Sequence, residues 1–160
     1  MTERAATLAA EFEAINRDFI AEVARLTDEQ WRKVAPGDNW TVGVVAHHVV
    51  DCYGLIVGWV RILSRGDVAP YDHHTMDATN AEHARLHADC TRAETVERAA
   101  SEVAEIARYV AGLTDDQLDT AGTFNGNPRT AEQMIERVLI GHTREHLSRI
   151  RSALGDQRSA

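Results

Sequence analysis

Histidines are the side chains of this chain whose type and spacing could do chemistry. His142 and His146 lie four residues apart, which stacks both rings on one face of an α-helix. His48 lies far earlier in the chain, between the apolar residues Val45 and Cys52. Three neutral imidazoles suit Zn, Ni, Fe or Cu and leave coordination positions open, as in a catalytic site. The spacing is therefore compatible with one divalent-metal site, although from spacing alone core histidines that hydrogen-bond to neighbouring carbonyls are the more common interpretation.

Other candidate ligands have a weaker pattern. His47 is rotated by about 100° from His48 around the same helix, so we place it outside the site. His83 and His87 also have the four-residue spacing, but no strong apolar stripe accompanies them. We expect this pair on a solvated or lid-like face rather than in a second metal site. Cys52, one turn after His48, is interpreted as a small buried hydrophobe.

Two acidic residues could orient a ligand ring, namely Asp51 and Glu145. We expect both to be solvated charges. A metal-dependent hydrolase of the zincin type would need a glutamate directly after the first histidine of the pair, and here Thr143 follows His142.

Four long amphipathic helices are predicted to position these residues. Apolar residues recur every three or four positions in four segments, at about residues 3–26, 41–64, 91–113 and 130–155. The longer central connection, residues 64–90, carries a possible short helix from Asp77 to Cys90. Residues 122–128 form a turn-rich connection, and no β-rich alternation is present. We therefore predict an all-α four-helix bundle, as a single domain over residues 1–160.

Composition narrows the class of protein. The formal net charge is -8 and the basic residues are dispersed among acids, which disfavours nucleic-acid binding. The longest apolar run, around Val42 to Val50, is interrupted by Gly43 and two histidines, which disfavours a membrane partner. Two cysteines do not form a disulfide framework. We expect a cytoplasmic protein that acts on a small-molecule substrate.

Three sequence strings resemble the DinB/YfiT-like family of metal-binding four-helix bundles. They are Asn39-Trp40-Thr41-Val42, His47-His48-Val49 and His142-Thr143-Arg144-Glu145-His146-Leu147. The resemblance spans nearly the whole chain and extends to the N-terminal domain of mycothiol-dependent maleylpyruvate isomerases. It implies that the ligands are the histidine eight residues after the tryptophan and both histidines of the final pair, which are His48, His142 and His146 here.

The resemblance also implies a function. Several members are thiol-dependent transferases or isomerases, so we expect a thiol-dependent S-transferase. Its cofactors would be one divalent metal ion, Zn, Ni or Fe, and a low-molecular-weight thiol such as mycothiol or bacillithiol. The isomerases carry a further C-terminal domain, for which a chain ending at Ala160 has no room, so S-transfer is favoured over isomerisation. A homodimer is expected. A metal-dependent hydrolase and a non-enzymatic metal or small-molecule sensor are the alternatives.

Overall fold

The computed structural model describes residues 2–155 of the chain. Its helices are α1 (Glu3–Ala24), α2 (Asp28–Arg32), α3 (Val42–Leu63), α4 (His73–Leu86), α5 (Arg92–Ala111), α6 (Asp115–Asp119), α7 (Ala131–Met134) and α8 (Gly141–Leu154). A π-helical segment, Ile135–Ile140, joins α7 to α8 without a break. We call the continuous run of α7, the π-helical segment and α8 the C-terminal rod. The long helices α1, α3 and α5 pack with this rod around one apolar core. The predicted all-α four-helix bundle is confirmed.

The helix α3 is the most buried of the long helices. Its N-cap residue is Thr41, whose side chain accepts a hydrogen bond from the Val44 N–H at 3.2 Å. Apolar residues lie on several of its faces, and α3 contacts both α5 and α8. By length and composition it could cross a membrane, but 67% of its most apolar stretch is buried inside the bundle. It therefore has the environment of a core helix, and His48 lies within it.

The central connection contains a helix that begins and ends four residues earlier than the sequence predicted. The predicted helix begins at Asp77 and ends at Cys90, whereas α4 spans His73–Leu86. It begins earlier because the Asp72 carboxylate accepts a hydrogen bond from the Thr75 N–H at 2.8 Å. The only buried residue of α4 is His83. The helix is thus held against α3 with little help from apolar packing.

A β-hairpin replaces the turn-rich connection that we predicted over residues 122–128. Strand β1 (Ala121–Phe124) pairs antiparallel with β2 (Asn127–Thr130). The turn residues Asn125 and Gly126 both have positive φ, 49° and 71°, as in the two-residue turns that suit hairpins. The sequence shows no β-rich alternation here because strands of four residues are too short to produce an alternating pattern.

The π-helical segment changes the phase of the C-terminal rod. The Gly141 N–H donates to the Glu136 carbonyl, five residues back, which widens the turn. The buried residues in this stretch accordingly repeat at an interval of five, Met134 with Leu139 and Ile135 with Ile140. Val138, which the sequence pattern places in the core, is only half-buried. The phase of α8, and therefore of its histidines, is set by this wide turn.

Two glycines of α3 are expected to respond oppositely to substitution by alanine. A Cβ at Gly43 would lie 2.5 Å from Cε2 of Trp31, whose indole N–H donates to the Cys90 carbonyl at 3.0 Å. A Cβ at Gly58 meets no atom within 4 Å. We expect Gly43→Ala to lower the free energy of unfolding by about 1–3 kcal/mol because the ring must move. Gly58→Ala should raise it by about 0.5–1 kcal/mol.

Urea denaturation followed by circular dichroism would measure both changes. Equal stabilities of the two variants would contradict the close contact between Trp31 and Gly43.

Candidate metal centre

The structure brings the three predicted ligands together. His48 projects from α3, and His142 and His146 project from α8, which packs against α3. One nitrogen of each ring lies within 4.8 Å of a nitrogen of each of the other two. The ring centroid of His48 lies 5.1 Å from that of His142 and also 5.1 Å from that of His146. The four-residue spacing on α8 and the placement of His48 on α3 thus converge on one point.

Local packing fixes these rings. On α3, Val45 and Val49 are fully buried on either side of His48, which is 6% exposed. On α8, Leu147 and Ile150 are buried and anchor the same face of the helix. The sequence folds in this way because the apolar stripe of each helix must face the core, and the histidines continue that stripe.

The hydrogen-bonding state of the rings fits a metal ion. Nε2 of His142 lies 3.2 Å from Nε2 of His48, so two nitrogens face each other. Among the described residues, Nδ1 of His142 and Nδ1 of His146 are buried without a hydrogen-bond partner. Buried polar atoms normally have a partner, and imidazole nitrogens are good ligands for Zn, Ni and Fe. These three residues could therefore hold a divalent metal ion.

Burial keeps the three rings neutral. It lowers the pKa of His48 to about 3, helped by the neighbouring His146 and His83. Burial, together with His146 and His48, lowers the pKa of His142 to about 2. The pKa of His146 is also lowered, chiefly by burial. A neutral ring presents a lone pair at physiological pH, as a metal ligand must.

The loop between α2 and α3 covers one side of the centre. The Trp40 indole lies edge-on to His48, with ring centroids 5.1 Å apart. The Arg149 guanidinium lies over the Trp40 ring, 5.6 Å from its centroid. It also donates to the Pro36 carbonyl at 2.5 Å and pairs with Asp38 at 3.2 Å. Trp40 is thereby held in place, where its apolar ring shields the imidazoles from water.

The thiol and carboxyl groups near the centre differ in their roles. Sγ of Cys52 lies 3.6 Å from Nε2 of His48, and burial raises the pKa of this thiol to about 12. Cys52 is therefore protonated, and it is partly buried against the apolar core rather than fully buried as the sequence suggested. Glu145 is exposed, as expected. Asp51, which we expected to be a solvated charge, accepts a hydrogen bond from Nδ1 of His83 at 3.1 Å.

The expectation that His83 lies on a solvated face was wrong. His83 is 7% exposed, and Nε2 of this ring lies 3.4 Å from Nδ1 of His47. His47 was placed outside the site because it is rotated away from His48, but its rotation directs it towards α4. His87 stacks on His47 with ring centroids 4.1 Å apart. The sequence pattern missed this group because α4 has no apolar stripe to reveal its inner face.

Comparison with known proteins identified a family. A family model described as the DinB superfamily matches residues 11–150. No curated protein and no solved structure matches the chain.

The metal-free protein is expected to lose stability as the pH falls below about 6.5, the ordinary histidine pKa. The folded protein lowers the pKa of His48 to about 3 and that of His142 to about 2. Above about pH 6.5 these rings are neutral in both the folded and the unfolded protein, so they contribute no pH dependence to the free energy of unfolding. Below it the unfolded chain binds more protons than the folded chain, and each step down in pH favours unfolding.

Urea unfolding between about pH 7.5 and about pH 5 would measure this loss, because carboxylates titrate mainly below that range. The His142→Phe variant lacks one of the titrating groups and should show a shallower loss. An equal loss of stability in the wild type and in His142→Phe would contradict the lowered pKa of His142.

Metal binding is expected to depend on the three converging rings. Purified without chelators and dialysed, the wild-type protein should retain about one equivalent of a divalent metal at this centre, and His142→Ala should retain almost none there because two imidazoles hold metal weakly. His74→Ala is the matched control, since His74 is exposed and belongs to neither histidine group. Elemental analysis would measure the occupancy. Equal retention in His142→Ala and His74→Ala would rule out the centre.

Proposed function

This chain belongs to the DinB superfamily, and from that membership and the geometry of the histidine centre we propose that it is a thiol-dependent S-transferase that uses a divalent metal. The observation that carries the proposal is the convergence of three neutral, largely buried imidazoles from two helices. Among the described residues, no carboxylate or thiol joins His48, His142 and His146 at the same spacing. A site with three protein ligands leaves room for a substrate atom.

Zn, Ni or Fe held by these rings would stabilise the thiolate form of an incoming low-molecular-weight thiol, such as mycothiol or bacillithiol, and supply a nucleophile at neutral pH. The protein's own part is to present three lone pairs in a fixed arrangement and to exclude water. Trp40 contributes to that exclusion, because its ring covers His48. Low water content strengthens the attraction between a cation and an anionic sulfur.

The nucleophile in this proposal comes from the thiol substrate and not from the protein. Cys52 is the cysteine nearest to His48 in the described structure, and burial raises the pKa of its thiol to about 12. A thiol with that pKa is almost entirely protonated at pH 7 and is a poor nucleophile. Cys90, the other cysteine, likewise has a raised pKa, about 11, chiefly because of burial. A free thiol from solution is therefore the better candidate.

The geometry supports a metal-dependent hydrolase less well. Hydrolysis needs a base within hydrogen-bond reach of the attacking water. Glu145 is exposed. Asp51 is already engaged with His83 and with Arg98, whose Nη1 donates to its Oδ1 at 2.8 Å. The alternative of a non-enzymatic sensor would share the centre and lack turnover. The expected homodimer and the cytoplasmic location stay predictions.

A transfer assay would test the proposal. Metal-free protein is reconstituted with Zn, Ni or Fe(II) and mixed with mycothiol or bacillithiol and a haloalkane or chlorodinitrobenzene electrophile. The S-conjugate is quantified by mass spectrometry. We expect His142→Ala to reduce the rate by at least about 100-fold, because losing even a group that orients a ligand costs about 10–100-fold. His74→Ala should leave it unchanged.

The assay also separates the alternatives. Hydrolysis of a nitrophenyl ester without thiol would contradict the proposed S-transferase activity and support a hydrolase. Metal binding with neither activity would favour the sensor.

A further inference from the structure

A second group of three histidines lies beside the first. His47 projects from α3, and His83 and His87 come from α4 and the residue that ends it. One nitrogen of each ring lies within 4.8 Å of a nitrogen of each of the others. The centroids of His83 and His87 are 4.6 Å apart, and those of His47 and His83 are 5.1 Å apart. Three imidazoles thus meet where α4 contacts α3. The three imidazoles of the first group meet where α8 contacts α3.

An ordered carboxylate fixes the tautomer of one ring. Nδ1 of His83 lies 3.1 Å from Oδ2 of Asp51, and the other oxygen of Asp51 accepts a hydrogen bond from Arg98 at 2.8 Å. The carboxylate is ionised: burial raises its pKa, but Arg98 and His83 together lower it by more, so the net shift is downward. It therefore accepts the Nδ1 proton of His83 and leaves the Nε2 lone pair free. Carboxylates behind metal-bound histidines act in this way, fixing the ring and raising its basicity.

The free lone pair is directed at the other rings of the group. Nε2 of His83 lies 3.4 Å from Nδ1 of His47, a separation that two nitrogens bound to one metal ion also adopt. His47 is half-buried, and His87 stacks on it with ring centroids 4.1 Å apart. We propose that His47, His83 and His87 form a second binding site for a divalent transition metal, with Asp51 orienting His83.

The composition of α4 supports this site. His83 is its only buried residue. On the face of α4 that contacts α3, a histidine therefore occupies the buried position that an apolar side chain normally has. The outer side of the group opens into a groove of about 700 Å³ that also contains Asp51, Thr79 and Glu82. A metal ion can enter from this groove and keep a water ligand there. Such an ion would link α4 to α3 through bonds that apolar packing does not provide.

The two groups are neighbours without sharing a residue. The ring centroids of His48 and His83 are 5.3 Å apart, and Trp40 lies against both, at 5.1 Å and 6.2 Å. Two dications at such proximity repel each other, so the second ion should bind more weakly than the first. The sites must therefore be counted by titration and not only by the metal that survives purification.

The test is a Zn²⁺ titration of the metal-free full-length chain against a chromophoric chelator, with native mass spectrometry to count bound ions. We expect about two equivalents for the wild type, about one for His87→Ala, about one for His142→Ala and none for the double variant, since each site needs three ligands. His73→Ala is the matched control and should keep both, because His73 is exposed and lies outside both histidine groups and outside this groove. Asp51→Asn should weaken only the second site, by about 10–100-fold.

Each other outcome decides between the sites. One equivalent that is lost in His142→Ala and kept in His87→Ala would overturn the second site and leave the first intact. One equivalent with the reverse dependence would retain the second site and remove the first. One equivalent lost in both variants would indicate a single shared site and overturn the proposal, and no binding would overturn both sites.

Folding of the variants is checked by circular dichroism and thermal melting. His87 is half-buried and ends α4, so its replacement should leave the bundle intact. His83→Gln, which keeps a group able to hydrogen-bond Asp51, is the second variant. Visible Co²⁺ spectra give an independent readout, because loss of one nitrogen ligand changes the intensity of the absorption bands.

Discussion

A neutral imidazole away from water needs a partner for its N–H and a partner for its lone pair. Six imidazoles meet in this bundle, and the two groups adjoin where the rings of His48 and His83 are 5.3 Å apart. Protonating His48, His142 and His146 together would place like charges side by side in a poorly solvated region, so burial and mutual repulsion keep these three rings neutral. The nitrogens of the six rings converge in two places. The Trp40 cover, the Asp51 carboxylate and the phase of α8 all serve to hold rings whose nitrogens are directed at one another.

Much of this arrangement follows from local sequence. The long helices were predictable because apolar residues recur at helical spacing and threonines such as Thr41 and Thr130 cap the helices. The grouping of His48 with His142 and His146 was predictable for the same reason, since each continues a buried stripe. The hairpin was missed although Asn125-Gly126 is a strong turn signal. The π-helical segment has no comparable signal, because its wide turn is imposed by packing rather than by residue type.

The second histidine group could not be predicted from spacing. Its members come from two helices that are joined by a loop, and their approach depends on where α4 docks. That docking has no apolar signature, since the one buried side chain of α4 is His83. The partner that holds it, Asp51, is itself fixed by Arg98 from a third helix, α5. A chain of contacts across α4, α3 and α5 is a tertiary property, so a pattern read along one helix places these residues in solvent.

The π-helical segment has a consequence for how this sequence can change over time. Its wide turn accommodates one residue more than an α-helical turn would, and it lies directly before Gly141 and the histidines of α8. Loss of a single codon within Ile135–Ile140 would remove that extra residue and let the rod close into a regular α-helix, so the residues beyond it would keep nearly the same orientation relative to α7. His142 and His146 would then still face His48. A deletion between His142 and His146 has no extra residue to remove, and it would separate the two rings by about 100° around the helix. Loss of one residue should therefore be tolerated better in this short stretch than in the α-helical turn that carries the two histidines.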